Sequence, residues 1–276
     1  MTPPHDAALE VKCAALADLL RAHRPLLIAY SGGVDSTYLL AFARRTLGRE
    51  GMLGVIADSP SLPRKGLADA LALAGRLDAP VETLATGEME NPDYAKNPFN
   101  RCYFCKAELF ARMEALAAQR RFAALAYGEN AEDPADTRPG SQAAREFAVL
   151  APLRQAGLTK AEIRRLSREM GLPTADAPSQ PCLSSRIPFG TPVTRQALAM
   201  VEAGEAHVRS LGFRVLRVRH LVAKDGSAHA RVQVGRDEMD RLPPLQAALE
   251  AGLRAVGYAA VEIDPQGYRI TEMPSA

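Results

Sequence analysis

The chain has 276 residues, 47% hydrophobic and 24% charged, the balance of a globular protein long enough for one large α/β domain and a smaller one; a disordered or low-complexity chain is excluded. A formal net charge of +2 excludes a surface given over as a whole to nucleic acid, so anion binding must be local. Met1 to Leu9 shows no basic segment leading into an apolar one, and no run of about 18 apolar residues occurs anywhere, so a cytoplasmic chain with no membrane partner is expected.

Val11 to His23 places Val11, Ala14, Ala15 and Leu19 at helical spacing, and Pro25 closes that helix. The run Leu26-Leu27-Ile28-Ala29-Tyr30 is apolar at successive positions, as a strand buried on both faces of a parallel sheet must be. Helix is then expected over Ser36 to Leu47, strand over Met52 to Ala57, helix over Leu67 to Leu77 and strand over Val81 to Leu84. Helix over Lys106 to Arg120 and strand over Phe122 to Tyr127 continue the alternation, which predicts an α/β, doubly wound parallel sheet. Two stretches break the rhythm, Gly87 to Cys105 and Ala175 to Pro192. Both contain cysteine, and long irregular segments in a compact domain are either functional or disordered.

After Pro192 the pattern becomes helix (Val193 to Leu211), two strands (Arg214 to Val222, Ala228 to Val234), helix (Asp237 to Val256) and strand (Ala259 to Ile263). These elements predict a small α+β domain over residues 186–276, following a first domain over 1–185.

The segment Ser31-Gly32-Gly33-Val34-Asp35-Ser36 joins an apolar strand to a helix. Its glycines let the backbone approach an anion, and the free amides of the helix N-terminus point at it. It has no Walker lysine and matches the Ser-Gly-Gly-Xaa-Asp-Ser pattern of PP-loop enzymes, which cleave ATP between its α and β phosphates and transfer AMP. ATP is therefore the expected cosubstrate, held by Ser31, Gly32, Gly33, Asp35 and Ser36, with Asp35 an oxygen ligand that helps place Mg2+. Asp58 after the second strand, and Gly128, Glu129 and Asn130 after a later one, fall on the carboxyl edge of the sheet, where such folds bind ligands. Asp58 and Glu129 read either as nucleotide contacts or as ordinary polar loop residues.

Cys102 and Cys105 form a Cys-Xaa-Xaa-Cys directly before the expected helix, between Arg101 and Lys106, a setting that favours the thiolate. Cys182 lies in the other irregular stretch, in Pro181-Cys182-Leu183-Ser184-Ser185-Arg186. Three thiolates suit an iron-sulfur cluster with one open iron, whereas the paired spacing alone also fits structural zinc or redox use. Cys13 sits at apolar spacing in the first helix and reads as a small core residue.

With these residues in place, the chain resembles the LarE family, ATP-dependent sacrificial sulfur transferases that help make the nickel-pincer nucleotide cofactor of lactate racemase. The likeness runs over nearly the whole chain, through Ser31 to Ser36, Gly128-Glu129-Asn130, Pro181 to Arg186 and Leu216-Arg217-Val218-Arg219-His220. It implies that ATP adenylates a carboxylate of pyridinium-3,5-biscarboxylic acid mononucleotide, that Cys182 is the catalytic thiol, and that the product is a thiocarboxylate. Cys102 and Cys105 together with Cys182 resemble the branch in which three cysteines hold a [4Fe-4S] cluster carrying an extra sulfide. The resemblance further implies a substrate-phosphate site at Arg217, Arg219 and Arg269 with Glu205 nearby, a homohexamer, and hand-over to other nickel-pincer biosynthesis proteins. Arg217 and Arg219, two apart on a strand, project from one face, and a guanidinium fork suits phosphate; solvated arginines on an open sheet would look the same. The family usually carries a glutamate where this chain reads Gln233, across an apparent insertion around Lys224 to Ser227.

Rival readings are a tRNA-thiolating PP-loop enzyme, an amidating ligase akin to NAD synthetase, and a non-catalytic nucleotide-binding module. The first needs a broad basic surface that the near-neutral charge does not provide, and the second leaves Cys182 without a chemical task.

Overall fold

The computed structural model describes residues 7–134, 138–178 and 180–268. In chain order the elements are α1 (Ala7–Ala22), β1 (Leu26–Ala29), α2 (Val34–Leu47), β2 (Met52–Asp58), α3 (Arg64–Arg76), β3 (Val81–Ala85) and the short α4 (Pro92–Ala95). There follow α5 (Arg101–Arg120), β4 (Ala124–Tyr127), α6 (Pro139–Glu146), α7 (Pro152–Gln155) and α8 (Lys160–Glu169). The chain ends with α9 (Arg195–Ser210), β5 (Leu216–Val222), β6 (Ala228–Val234), α10 (Leu242–Val256) and β7 (Ala260–Ile263). They divide into two compact units, one built from residues up to Glu88 and from Asn100–Gln180, the other from Met89–Phe99 and from Pro181 onward; the sequence expectation placed the division after residue 185. No helix among the described residues is long and apolar enough to cross a membrane.

The first unit is a parallel sheet in the order β3-β2-β1-β4, with Leu26 of β1 level with Met52 of β2 and with Ala124 of β4. An isolated parallel bridge from Ala126 to Leu150 marks a fifth position at the β4 edge. Period-two alternation splits β1 between two cores. Leu26 and Ile28 pack with α1, α2, α3 and α8 through Leu16, Leu20, Leu39, Ala70 and Ile163, whereas Leu27 packs with α5 and α6 through Phe110, Met113 and Ala143. Helices thus cover both faces, and each fully buried leucine contributes about 1.5–3 kcal/mol.

Sequence reading placed most of these elements within a few residues but expected no helix at α6 or α8. The end signals of α8 are local: Thr159 and Glu162 form a reciprocal capping box, and Glu162 also pairs with Lys12 of α1 at 2.7 Å. One expectation is corrected. The cysteine pair does not precede a helix; α5 begins at Arg101, so Cys102 and Cys105 occupy its first turns.

In the second unit β5 and β6 are antiparallel and β7 runs parallel to β6. Leu216, Val218, Ala230 and Val232 face α9 and α10, forming a core with Val208, Leu249, Leu253 and Tyr258. The opposite face carries half-buried Arg217, Arg219 and Gln233. The helix expected from Asp237 is broken in two, a 3-10 turn over Arg236–Arg241 and then α10, because Pro243 and Pro244 lack the amides that an interior turn requires and so begin a new helix. Residues 89–99 form a strap on this unit. Fully buried Asn97, at φ +58°, donates through Nδ2 to the carbonyls of Ile187 (3.3 Å), Pro188 (2.8 Å) and Thr191 (2.9 Å), and Tyr94 hydrogen-bonds Ser184 Oγ at 2.8 Å.

Candidate functional site

In the first unit, the turn from β1 into α2 is a cradle made of backbone. Gly33 is the N-cap of α2 and no side chain caps it, so no side-chain oxygen takes up the first amides of the helix. Ser36 fixes the turn from within: its Oγ donates to the Gly33 carbonyl (3.1 Å), accepts from the Ser31 amide (3.2 Å) and lies 3.0 Å from Ser31 Oγ. Gly32 takes φ +75°, where a Cβ would also stand 3.0 Å from Ala70 Cβ. From the neighbouring strand end, Gly128 presses on the same turn; a Cβ there would lie 2.7 Å from the Ser36 amide nitrogen and 2.9 Å from its Cα.

Asp35, in the first turn of α2, accepts from Lys160 Nζ at 2.7 Å and from Asn130 Nδ2 at 3.5 Å, both on Oδ2. Its Oδ1 is buried and has no hydrogen-bond partner among the described residues. An unpartnered buried carboxylate oxygen beside an anion cradle fits a hard cation such as Mg2+. Lys160, which sequence reading did not single out, sits at the start of α8 and is brought here by the capped helix; the Thr159-Lys160-Ala161-Glu162 start signal was the available clue.

Of the other expected nucleotide residues, Asp58 ends β2 and pairs with Arg64 at 2.5 Å, partly exposed. Glu129 is buried and turned toward its own strand and α6: it accepts from Tyr127 Oη (2.6 Å) and from Ser141 Oγ, with Arg154 Nη1 at 3.5 Å. Burial and the Glu129 carboxylate push the Tyr127 phenol up, so it stays protonated and donates. Over the Tyr127 ring lies the Lys106 ammonium, 4.4 Å from the centroid. Burial pushes that lysine below its usual range, and Glu129, Cys102 and Cys105 oppose the shift.

Cys102 is exposed and Cys105 half-buried, three residues apart on α5, while Cys182 is half-buried in the second unit; none is in a disulfide. Among the described residues no group of three or more His, Cys, Asp or Glu side chains is gathered as a metal site. The backbone of Cys182 is pinned from its own unit. Arg186 Nη1 donates to the carbonyls of Pro181 (2.5 Å) and Cys182 (3.0 Å), and its other nitrogens form a buried ion pair with Glu205 at 2.8 and 3.2 Å. Glu205, expected near the phosphate site, is thus the anchor of Arg186. Cys13 is half-buried, with Sγ 4.0 Å from Tyr38 Oη, so it lies at the margin of the core rather than inside it; burial still pushes the thiol up.

On the open face of the small sheet, Arg217 lies over the Tyr268 ring at 4.7 Å, and Arg219 donates to the Ser185 carbonyl at 2.8 Å. Burial, then the charge of Arg186, push both guanidinium groups below the usual arginine range. Cations so placed favour an added anion. Arg269 lies outside the described residues.

The parallel sheet with its glycine cradle, carrying a small mixed-sheet domain, defines a PP-loop α/β protein. No protein-family model matches the chain. The chain is 30% identical over 267 residues to the pyridinium-3,5-bisthiocarboxylic acid mononucleotide synthase of Lactiplantibacillus plantarum, covering 97% of this chain and 95% of that protein. At that extent of likeness the chain belongs to the LarE family of enzymes. It is also 44% identical over 193 residues to an uncharacterised protein of Synechocystis sp., 70% of this chain and 72% of that one. A glutamine-dependent NAD(+) synthetase of the same organism matches 61 residues at 38% identity, 22% of this chain and 11% of that protein.

Proposed function

We propose that this enzyme uses ATP to adenylate a carboxylate of pyridinium-3,5-biscarboxylic acid mononucleotide and converts it to the thiocarboxylate, a step toward the nickel-pincer nucleotide. What carries this reading is the match over 97% of the chain to a synthase whose product bears two thiocarboxylates. The small-molecule substrate follows from that relative, and the homohexamer and hand-over to other cofactor-making proteins are proposed with it.

The chemistry requires activation because a thiolate cannot expel oxide from a carboxylate. Attack of the substrate carboxylate on the ATP α-phosphate releases pyrophosphate and leaves an acyl adenylate; a thiolate can then displace AMP. The uncapped amides of α2 hold phosphate oxygens, Asp35 Oδ1 accepts the Mg2+ that accompanies ATP, and Lys160 balances the other Asp35 oxygen. Asp58, ending β2, and Glu129, just past β4, are proposed as nucleotide-side residues, Glu129 acting through the Tyr127 and Ser141 hydroxyls it holds. Arg217 and Arg219, with Arg269, bind the substrate's phosphate; Cys182, whose backbone Arg186 fixes, is the thiol assigned to the activated carbonyl.

In number and kind the three thiols outside disulfides suit a [4Fe-4S] cluster, with Cys102, Cys105 and Cys182 as its proposed holders, although among the described residues the structure does not gather them into one group. When bound, such a cluster supplies a transferable sulfide and spares the protein's own sulfur. The sacrificial alternative uses Cys182 alone: its thiolate forms a thioester, β-elimination breaks the Cβ–S bond, and thiocarboxylate leaves while dehydroalanine remains. Exchange of labelled pyrophosphate into ATP that depends on the pyridinium dicarboxylate tests the adenylation. Exchange driven instead by tRNA or by an ammonia acceptor would replace this reading with one of its rivals.

A further inference from the structure

The arginine face contains a residue whose chemistry the phosphate reading leaves unused. Gln233 of β6 stands opposite Arg217 in the β5–β6 register. Its Oε1 accepts from Arg219 Nε at 2.9 Å, and its Nε2 donates to Asp264 Oδ2 at 2.8 Å. Arg219 is therefore fixed at two nitrogens, by the Gln233 amide oxygen and the Ser185 carbonyl, and neither acceptor carries a charge. Its Nη2 has no hydrogen-bond partner among the described residues, and no ion pair neutralises it there.

We propose that Gln233 is a specificity-determining residue: it holds Arg219 in place without neutralising it, so that the face selects the dianionic form of a phosphate monoester. This rests on the reading of Arg217 and Arg219 as the site of the substrate's phosphate.

A carboxamide can accept from a guanidinium with one end and donate to a carboxylate with the other, which a carboxylate in its place cannot do. A glutamate at this position would pair with Arg219 as a charge-assisted bond and would set a second carboxylate against Asp264. Two of the charged groups around Gln233 are held in ion pairs of their own. Arg231 on the same strand pairs with Glu262 of β7 at 3.1 Å, and Arg186 pairs with Glu205 of α9. Arg217 is stacked on Tyr268, and Asp264 takes the Gln233 amide. Half-buried positive charge at Arg219, which Glu205 and Asp264 temper only at a distance and no direct ion pair neutralises among the described residues, rewards each additional negative charge on the ligand. The second ionisation of a phosphate monoester, near pH 6, should therefore tighten binding.

The test is calorimetric titration of the full-length protein with nicotinic acid mononucleotide and with nicotinic acid riboside, which lacks the phosphate, from pH 5.5 to 8. The wild type should prefer the mononucleotide, increasingly as the pH rises through the phosphate ionisation. Gln233→Glu should lower that preference about tenfold, the loss of one charge-assisted contact, and flatten its rise with pH. Gln233→Met, neutral but unable to hydrogen-bond, should bind less tightly while keeping the rise. If the wild type does not distinguish the two probes, the phosphate-site reading itself fails. If it does, but Gln233→Glu keeps the wild-type preference and pH profile, or Gln233→Met flattens as Gln233→Glu does, only the assignment of Gln233 falls.

Discussion

The two anion sites proposed for this chain are built from different materials. The cradle of the first unit uses backbone: two glycines, the uncapped start of α2 and a serine that ties the turn to itself. The face of the second unit uses side chains, guanidinium groups on one side of a small sheet, oriented by an amide, a carbonyl and an aromatic ring. A backbone site tolerates few residue types at its own positions but depends little on distant ones. A side-chain site is permissive at each position yet depends on partners contributed by several segments. The first kind should therefore fail outright when a single atom is added, and the second should decline by degrees.

Asp35→Ala and Gly33→Val break the cradle and carry the largest expected effect, loss of ATP-pyrophosphate exchange. At Gly33, φ is −74° and a Cβ would meet only Ser31 Oγ at 3.5 Å, so the valine variant should still fold while its side chain blocks the approach of phosphate. Normal exchange in either folded protein would remove the cradle from the mechanism.

Next come the thiols. Cys182→Ala should abolish sulfur transfer and leave exchange intact. With a cluster, Cys102→Ser and Cys105→Ser should lose iron and multiple turnover, and Cys13→Ser should lose neither. With the sacrificial route they should retain one transfer, and intact-protein mass spectrometry should show a loss of about 34 Da at Cys182, the mass of the eliminated sulfur counted as hydrogen sulfide. That loss in anaerobically reconstituted, iron-free enzyme would sink the cluster and keep the family chemistry.

The side-chain site should yield smaller numbers. Arg217→Ala or Arg219→Ala should each raise the substrate dissociation constant about tenfold or more, since a charge-assisted phosphate contact contributes roughly 1.5–3 kcal/mol, with ATP binding nearly unchanged. Equal weakening of ATP binding would contradict the division of labour between the two sites.

The smallest effect concerns stability. His220, on the core face of β5 beside Tyr258, is held below the usual imidazole range by burial, and its Nδ1 has no hydrogen-bond partner among the described residues. Its folded-state pKa lies below the unfolded one, about 6.5, so below that pH the unfolded chain binds more protons and stability falls as the pH drops. His220→Phe should make the melting midpoint decline less between about pH 7 and pH 5, by a few degrees at most. An unchanged decline would place the acid sensitivity elsewhere.

What the sequence revealed follows the same division. The cradle is contiguous, so Ser31 to Ser36 could be read from spacing alone, and the alternation of apolar runs gave the parallel sheet. Lys160 could not be read that way; it meets Asp35 from 125 positions away, on a helix whose apolar signal is little more than Ile163 and Leu166. The α6 segment Pro139–Glu146 buries Gly140, Ser141, Ala143 and Ala144, small residues that form no hydrophobic stripe, and no helix was expected there. Glu129 was legible as a residue at the sheet edge, but its hold by Tyr127 and Ser141 needs the packed α6 to be seen. Gln233 was visible as an oddity, and its meaning waited on Asp264, which the register of β6 and β7 brings beside it.

The strap of residues 89–99 bears on how the small unit can be made. That unit is assembled from two pieces separated by the Asn100–Gln180 part of the first unit, so it cannot finish folding during synthesis until residues past 191 have emerged to meet Asn97 and Tyr94. A fragment cut at Pro181 would retain β5, β6 and β7 yet leave the Ile187, Pro188 and Thr191 carbonyls without their donor and Ser184 without its tyrosine. Excising the small unit for separate study calls for the strap to be joined to it by a linker.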